Sequence, residues 1–149
     1  MSIKNLLPGK IGLGGAPLGN MFRAIPEDEA HATVSEAWNL GVRYFDTAPL
    51  FGSGLSEIRM GEALSQYPRD EYVLSSKVGR IMLDEMEDPA KRDFGEKGGL
   101  FEHGLKNKIL NDYSADATLR SIEDSLKRLK TDRLDIVWIH DPAQDFYGD

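Results

Sequence analysis

Segments with the pattern of β-strands alternate along this chain with segments that have the pattern of α-helices, and this alternation constrains the fold most strongly. The strand segments are short, apolar and rich in β-branched and aromatic residues. They comprise residues 10–14, 42–46, 71–77 and 134–140. This order predicts an α/β fold in which βα units build a parallel sheet with right-handed crossovers.

Three helices are predicted between these four strands. The first begins at Pro26, has acidic residues in its first turn and ends near Gly41, which tolerates a left-handed backbone. The second is ended by Pro68, and the third has Ser114 as its N-cap. Before the third helix, residues 78–113 predict a long loop in which a short helix stays possible. Loops of this length are usually functional lids or disordered.

Charge and cysteine content exclude several classes of protein. The chain carries 18 basic and 25 acidic residues, a net charge of −7, and shows no basic stripe, so we expect no nucleic-acid partner. It contains no cysteine, which excludes disulfides and cysteine-ligated zinc and is compatible with a cytoplasmic location. No apolar run has the length of a membrane span, so no membrane partner is expected. The scattered histidines predict no metal site.

Three of the predicted strands end in a polar side chain that is suited to proton handling: Asp46, Lys77 and His140. The carboxyl ends of parallel strands meet on one face, where active sites are built in α/β barrels and open sheets. An acid holds a neighbouring lysine charged and oriented, and a histidine can polarise a carbonyl oxygen. The three residues therefore predict a proton-handling site, although any one of them alone is more often a residue that merely faces a loop.

Longer motifs surround these residues. Residues 41–49 have the sequence GVRYFDTAP, residues 75–77 are SSK, and residues 139–142 are IHDP. Together they resemble the aldo-keto reductase family over nearly the whole chain. The opening GGAPLG at residues 14–19 is most similar to the branch of that family that contains D-threo-aldose (L-fucose) dehydrogenases and pyridoxal 4-dehydrogenases.

This resemblance implies a (β/α)8 TIM barrel that moves a hydride between NADP or NAD and a small-molecule carbonyl or alcohol. The substrate would be a sugar, an aldehyde or a pyridoxal-like compound. Asp46, Lys77 and His140 fall on catalytic positions of the family. Gly15 and Ala16, together with Asp46, fall where the family contacts its cofactor.

The fourth catalytic position of the family is a tyrosine five residues after the aspartate, and Phe51 stands there. The tyrosine hydroxyl gives or takes the substrate proton, and a general acid or base of this kind contributes about 10²–10⁴-fold in rate. We therefore expect impaired reduction, unless His140, Tyr113 or Tyr147 substitutes as the donor. The rival interpretation is a catalytically silent binding or regulatory module on the same scaffold. An engineered Tyr→Phe change would give the same sequence.

Length is a second departure from the family. A barrel of this type needs about 250 residues, whereas 149 residues supply four strands and three helices. We expect a single partial barrel domain over residues 1–149, the N-terminal half, with an interior lined by Phe45, Val73 and Val137 or its neighbours. Unpaired strand edges invite association. Three explanations stay open: a piece of a longer protein that pairs with a missing C-terminal half, two self-associating copies, or a rearranged compact sheet.

Lys130 is a third departure, because the family usually has a glycine where its third helix ends. A side chain at that position costs about 1 kcal/mol if the backbone is left-handed. The sequence therefore predicts a small local strain just after the third helix.

Overall fold

The computed structural model describes residues 3–86, 100–101 and 103–143 of this chain, which fold into strands and helices in alternation. The elements in chain order are α1 (Ile3–Leu6), β1 (Leu13–Gly14), α2 (Glu27–Asn39), β2 (Tyr44–Asp46), α3 (Leu55–Leu64), β3 (Val73–Val78), β4 (Arg80–Met86), β5 (Asn107–Asn111), α4 (Ala115–Arg128) and β6 (Ile136–Ile139). Within the described ranges, no helix is long and apolar enough to cross a membrane.

The main sheet is parallel and has the strand order β1-β2-β3-β6. Its register pairs Asp46 with Gly14 and Ser75, and it pairs Lys77 with Trp138. The predicted alternation of parallel strands with α2, α3 and α4 is confirmed. The strands begin two or three residues later than the sequence pattern predicts, and residues Arg69–Glu71 form a 3-10 turn before β3.

The segment predicted as a loop, residues 78–113, contains an antiparallel hairpin. Strands β4 and β5 pair within it, with Ile81 opposite Leu110. Burial of Ile81 and Ile109 stabilises this pairing, which depends on partners nearly thirty residues apart and therefore leaves little local signal in the sequence. The short helix that the sequence allows in this segment is not found among the described residues of the segment, and residues 87–99 and 102 lie outside them.

The hydrophobic core lies between the sheet and helices α2 and α3. Phe45, Val34, Met60, Leu64 and Leu74 are all buried in it. Helix α2 turns Val34 toward this core and leaves its charged face in water, as an amphipathic helix does. The core thus covers one face of the sheet and leaves the other face for the site.

The expectation that Phe45 lines the barrel interior is wrong, because Phe45 is fully buried on the helix side of the sheet. Side chains alternate along a strand, so Asp46 and Tyr44 face the opposite side. Val73 pairs with Tyr44 and shares that interior face, as predicted. The third predicted interior position is Val137 or its neighbours, and the residue that lines the interior is the neighbouring Trp138. Val137 instead pairs with Ser76, whose side chain bonds to helix α3 on the opposite face of the sheet.

A buried carboxylate connects three elements on the helix side. Glu57 of α3 is fully buried, accepts a hydrogen bond from Ser76 of β3 at 2.6 Å, and pairs with Arg128 of α4 at 2.6 Å. Burying a charge is tolerated when it is paired and hydrogen-bonded. Because both oxygens of Glu57 are satisfied in this way, the carboxylate fixes β3 against both helices.

Helix α4 ends in a Schellman motif in which Lys130 takes the left-handed position, with φ = 53°. The amide of Lys130 donates to Lys127, and the amide of Thr131 donates to Leu126. This is the hydrogen-bond pattern of a Schellman C-terminus, which glycine usually completes. The strain that the sequence predicts at Lys130 is therefore present.

Replacing Lys130 with Gly is expected to raise the free energy of unfolding by about 0.5–1 kcal/mol, because glycine adopts positive φ without a steric cost. The gain is measured by urea denaturation followed by circular dichroism. Lys130→Ala is the matched control: it removes the ion pair with Glu62 and keeps a Cβ. A Gly variant no more stable than the Ala variant would contradict the strain.

Candidate active site

Asp46 and Lys77 meet at the carboxyl edge of the main sheet. The register places Asp46 beside Ser75, so Lys77 lies two residues further along β3 on the same face. The Nζ atom of Lys77 is 2.5 Å from Asp46 Oδ2 and 3.0 Å from the main-chain oxygen of Thr47. Ser75 donates a hydrogen bond to the other oxygen, Asp46 Oδ1, at 2.6 Å. Both carboxylate oxygens are therefore held, and the ammonium group is oriented.

An open cleft of about 360 Å³ lies beside this pair. Its lining residues come from β1 and the residue before it, β2, β3 and β6; they are Gly12, Leu13, Gly14, Tyr44, Asp46, Lys77 and Trp138. The Tyr44 hydroxyl lies 3.0 Å from Ser75 Oγ and accepts a hydrogen bond from Trp138 Nε1 at 3.3 Å. A chain of polar contacts therefore leads from the cleft wall through Ser75 to Asp46.

Sequence reasoning missed Tyr44, Ser75 and Trp138 as residues of the site. A signal for them exists in the two-residue period of strands. Tyr44 precedes Asp46 by two residues and Ser75 precedes Lys77 by two, so each shares a face with a predicted site residue. Extending the strand alternation backwards from Asp46 and Lys77 would have found these two.

Phe51 lies among three side chains of the site. Its ring centroid is 5.1 Å from Lys77 Nζ and 5.7 Å from the ring centroid of His140, which it meets edge to face. Phe101, which lies between β4 and β5 in the sequence, stacks on it, also at 5.7 Å. A cation close to an aromatic face is stabilised by the ring quadrupole. Phe51 therefore connects the ion pair with the histidine through its ring.

His140 follows β6 directly, and its amide donates to Val78 at 2.9 Å, which extends the sheet by one residue. The residue is 7% exposed. Burial lowers the pKa of the imidazole from 6.5 to about 4, against the smaller opposing effect of Asp141. Among the described residues, Nδ1 has no hydrogen-bond partner, and Nε2 lies 3.6 Å from Asp141. The imidazole is therefore neutral at pH 7 and retains hydrogen-bonding capacity.

Gly15 and Ala16, which are predicted to contact the cofactor, lie close to Asp46. The amide of Gly15 donates to the main-chain oxygen of Asp46 at 2.7 Å. A Cβ on Gly15 would lie 2.7 Å from Ser56 Oγ and 2.9 Å from that same oxygen, so a side chain does not fit there. Ala16 follows in a 3-10 turn and is half-buried. Both residues thus stand at the carboxyl end of β1, beside the cleft.

The structure brings Asp46, Lys77 and His140 together around Phe51, although Phe51 and His140 lie beside the cleft rather than in its lining.

Tyr113 is one of the predicted substitutes for the missing proton donor, and its hydroxyl donates to the main-chain oxygens of His140 and Asp141 at 2.7 and 3.2 Å. Its proton is therefore engaged by the backbone. Tyr147, the other tyrosine considered for that role, lies outside the described residues.

One group of potential metal ligands lies away from this site. Glu27, His31 and Glu62 carry ligand atoms within 4.8 Å of one another, although the sequence predicts no metal site. Glu27 pairs with Arg59 at 2.6 Å, and Glu62 pairs with Lys130 at 3.1 Å. Each carboxylate therefore has a cation of the protein itself as a partner.

The profile of the aldo/keto reductase family matches residues 10–147, and this chain belongs to that family. It is 41% identical over 135 residues to a D-threo-aldose 1-dehydrogenase of Pseudomonas sp, an alignment that covers 90% of this chain and 40% of that protein. It is 34% identical over 142 residues to the pyridoxal 4-dehydrogenase of Microbacterium luteolum, with 93% and 41% covered. The chain thus spans about 40% of the length of these curated relatives.

Solved structures agree with this assignment. The glycerol dehydrogenase of Gluconobacter oxydans is similar with a TM-score of 0.64 and 26% identity, over 89% of this chain and 37% of that one. An aldo-keto reductase of Klebsiella pneumoniae in complex with NADPH is similar with a TM-score of 0.58 and 26% identity, over 87% and 34%. The predicted fold, the N-terminal half of the family's α/β barrel, is confirmed.

The depressed pKa of His140 predicts a pH dependence of stability. Between pH 6.5 and about 4 the unfolded chain binds a proton that the folded chain does not. The free energy of unfolding therefore falls as the pH falls through this window, with a limiting slope of about 1.4 kcal/mol per pH unit from this residue. NMR titration of the imidazole, assigned by its loss in His140→Gln, measures the pKa. A midpoint near 6.5 would contradict the buried, neutral state.

Proposed function

We propose that this chain carries the catalytic residues of an NAD(P)-dependent oxidoreductase. The enzyme would move a hydride between the nicotinamide cofactor and the carbonyl or alcohol group of a sugar, an aldehyde or a pyridoxal-like compound. The observation that carries the proposal is the Asp46–Lys77 ion pair at the carboxyl edge of the sheet, with the neutral His140 across the ring of Phe51. Two relatives whose names specify an aldose and pyridoxal support the substrate class.

Each polar residue has a separate role in this proposal. Asp46 holds the Lys77 ammonium group in place, and that positive charge stabilises negative charge that develops on a substrate oxygen. His140, neutral and with an unsatisfied ring nitrogen, orients the carbonyl by a hydrogen bond.

The backbone of β1 leaves room for a nicotinamide cofactor next to the ion pair. Gly14 lines the cleft, and a Cβ built on it would meet no atom within 4 Å, so the space beside it is open. Gly15, Ala16 and Asp46 would hold the nicotinamide end of NADP or NAD. The cofactor, when bound, supplies or accepts the hydride. The chain's own residues would orient the substrate oxygen and stabilise its charge.

Reduction also requires a proton on the substrate oxygen, and Phe51 has none to give. This residue favours a second candidate function, a binding or regulatory module that takes up nucleotide without turnover. The intact set of Asp46, Lys77 and His140 favours the enzyme, because a module that only binds nucleotide has no use for an ordered ammonium group beside a neutral imidazole. The two candidates differ in whether a hydroxyl at residue 51 restores activity.

Replacing Phe51 with Tyr is expected to raise the rate of NADPH or NADH oxidation with aldoses and aldehydes by about 10²–10⁴-fold, because it supplies a general acid next to Lys77. The assay uses the full-length product of the encoding gene. Phe101→Tyr is the matched control, since it adds the same hydroxyl to the ring that stacks on Phe51 and is expected to give no gain. Turnover that does not rise in Phe51→Tyr would contradict the assigned roles and favour the silent module.

The outer edges of β1 and β6 also bear on function. Ile139 is 62% exposed, and Trp138 and Val137 are each 40% exposed on or next to the open edge of the sheet. Exposed apolar strand edges promote pairing with further strands. We infer that these edges are closed in the active protein, either by a C-terminal half or by a second copy. Light scattering of the 149-residue chain distinguishes them, because self-closure requires twice the mass of one chain.

A further inference from the structure

The loop that carries His140 is held by the hairpin formed by β4 and β5, from outside the main sheet. Arg80 begins β4 and donates to the carboxylate of Asp141 at 3.0 Å. Tyr113 follows β5 and donates to the main-chain oxygens of His140 and Asp141 at 2.7 and 3.2 Å. Both ends of the hairpin therefore converge on the two residues that follow β6.

These contacts are packed into the structure. The Arg80 side chain is 8% exposed. Gly79, with φ = 96°, lies under the ring of Tyr113, and a Cβ there would come within 2.1 Å of that ring. The amide of Asp112 donates to the main-chain oxygen of Gly79 at 3.0 Å and closes the base of the hairpin. The close approach requires glycine at residue 79, so the position of Tyr113 is built in by the sequence.

Asp141 adopts a left-handed backbone, with φ = 41°. Such a conformation is unfavourable for a residue with a Cβ, and Arg80 and Tyr113 both bind the residue that adopts it. The conformation places the Asp141 carboxylate 3.6 Å from the Nε2 atom of His140. The imidazole therefore faces a carboxylate that is neutralised by a guanidinium group of the hairpin.

We propose that Arg80, Tyr113 and Asp141 are positioning residues for His140, and that the hairpin sets the orientation and the electrostatic surroundings of this histidine. We refer to these three residues as the hairpin clamp. The catalytic consequence rests on the function proposed above for His140. The geometric claim, that the clamp determines what the imidazole contacts, is independent of that function.

Charged groups act on His140 from four parts of the fold. Asp46 of β2 and Asp141 of its own loop favour the protonated imidazole, whereas Lys77 of β3 and Arg80 of β4 disfavour it. Removing the Arg80 charge leaves Asp141 without its counter-ion and raises the pKa of His140. Removing the Asp141 charge leaves Arg80 facing the ring and lowers it. General loosening of the fold would instead relieve burial and raise the pKa in both variants.

The test is NMR titration of His140 in the full chain, in Arg80→Met, Asp141→Asn and the double variant. We expect the pKa to rise from about 4 in Arg80→Met, to fall in Asp141→Asn, and to return close to the parent value in the double variant. Arg80→Lys, which keeps the charge, is the conservative rescue and is expected to titrate like the parent. Equal upward shifts in both single variants, or no shift in either, would overturn the clamp.

Activity supplies a separate readout in the Phe51→Tyr background. Arg80→Met is expected to lower kcat/KM at pH 7 by up to about 10²-fold, the loss typical of an orienting group displaced by about 1 Å, and Arg80→Lys to restore part of it. If the pKa pattern holds without any turnover, the clamp stands and the proposed function fails. If turnover is present and the pKa pattern is missing, the clamp fails and the proposed function stands.

Discussion

The rest of the structure depends on the hydrogen bond and the ion pair that the buried carboxylate of Glu57 forms. From its position in α3, this carboxylate binds Ser76 of β3 and Arg128 of α4, so it joins three elements of the fold. Removing one partner of such a buried pair typically costs about 3–5 kcal/mol. Ser76 and Lys77 are neighbours on β3 and point to opposite faces. The same strand therefore attaches to the helices through Ser76 and presents Lys77 to the cleft.

The carboxyl edge of the sheet could be predicted from the sequence because one general rule governs it. Parallel strands end on the same face, so polar residues at the strand ends, Asp46, Lys77 and His140, had to lie near one another. The side of the sheet on which each residue lies was harder to predict. Phe45 was expected in the interior, yet it is the residue beside Asp46, and alternation turns it toward the helices.

The hairpin and its contacts with His140 could not be predicted, and the reason is physical. Strand β5 pairs with β4 through residues nearly thirty positions apart, such as Ile81 and Leu110, and Tyr113 bonds to His140 across 27 positions. No local period or turn motif encodes such contacts. The only local indication is Gly79, whose φ of 96° and missing side chain allow the close approach of Tyr113. A glycine in the sequence does not reveal which residue packs against it.

Family membership and the phenylalanine at residue 51 support our proposal of a site that binds the cofactor and orients the substrate but lacks a proton donor at residue 51. Calorimetric titration of NADPH and of NADH into the full-length product of the gene tests this most directly, with Asp46→Asn as the comparison. We predict saturable binding of at least one cofactor and weaker binding in the variant, because Asp46 borders the cleft and holds Lys77. Saturation by neither cofactor, or unchanged affinity in Asp46→Asn, would contradict the assignment of this edge of the sheet as the nicotinamide site.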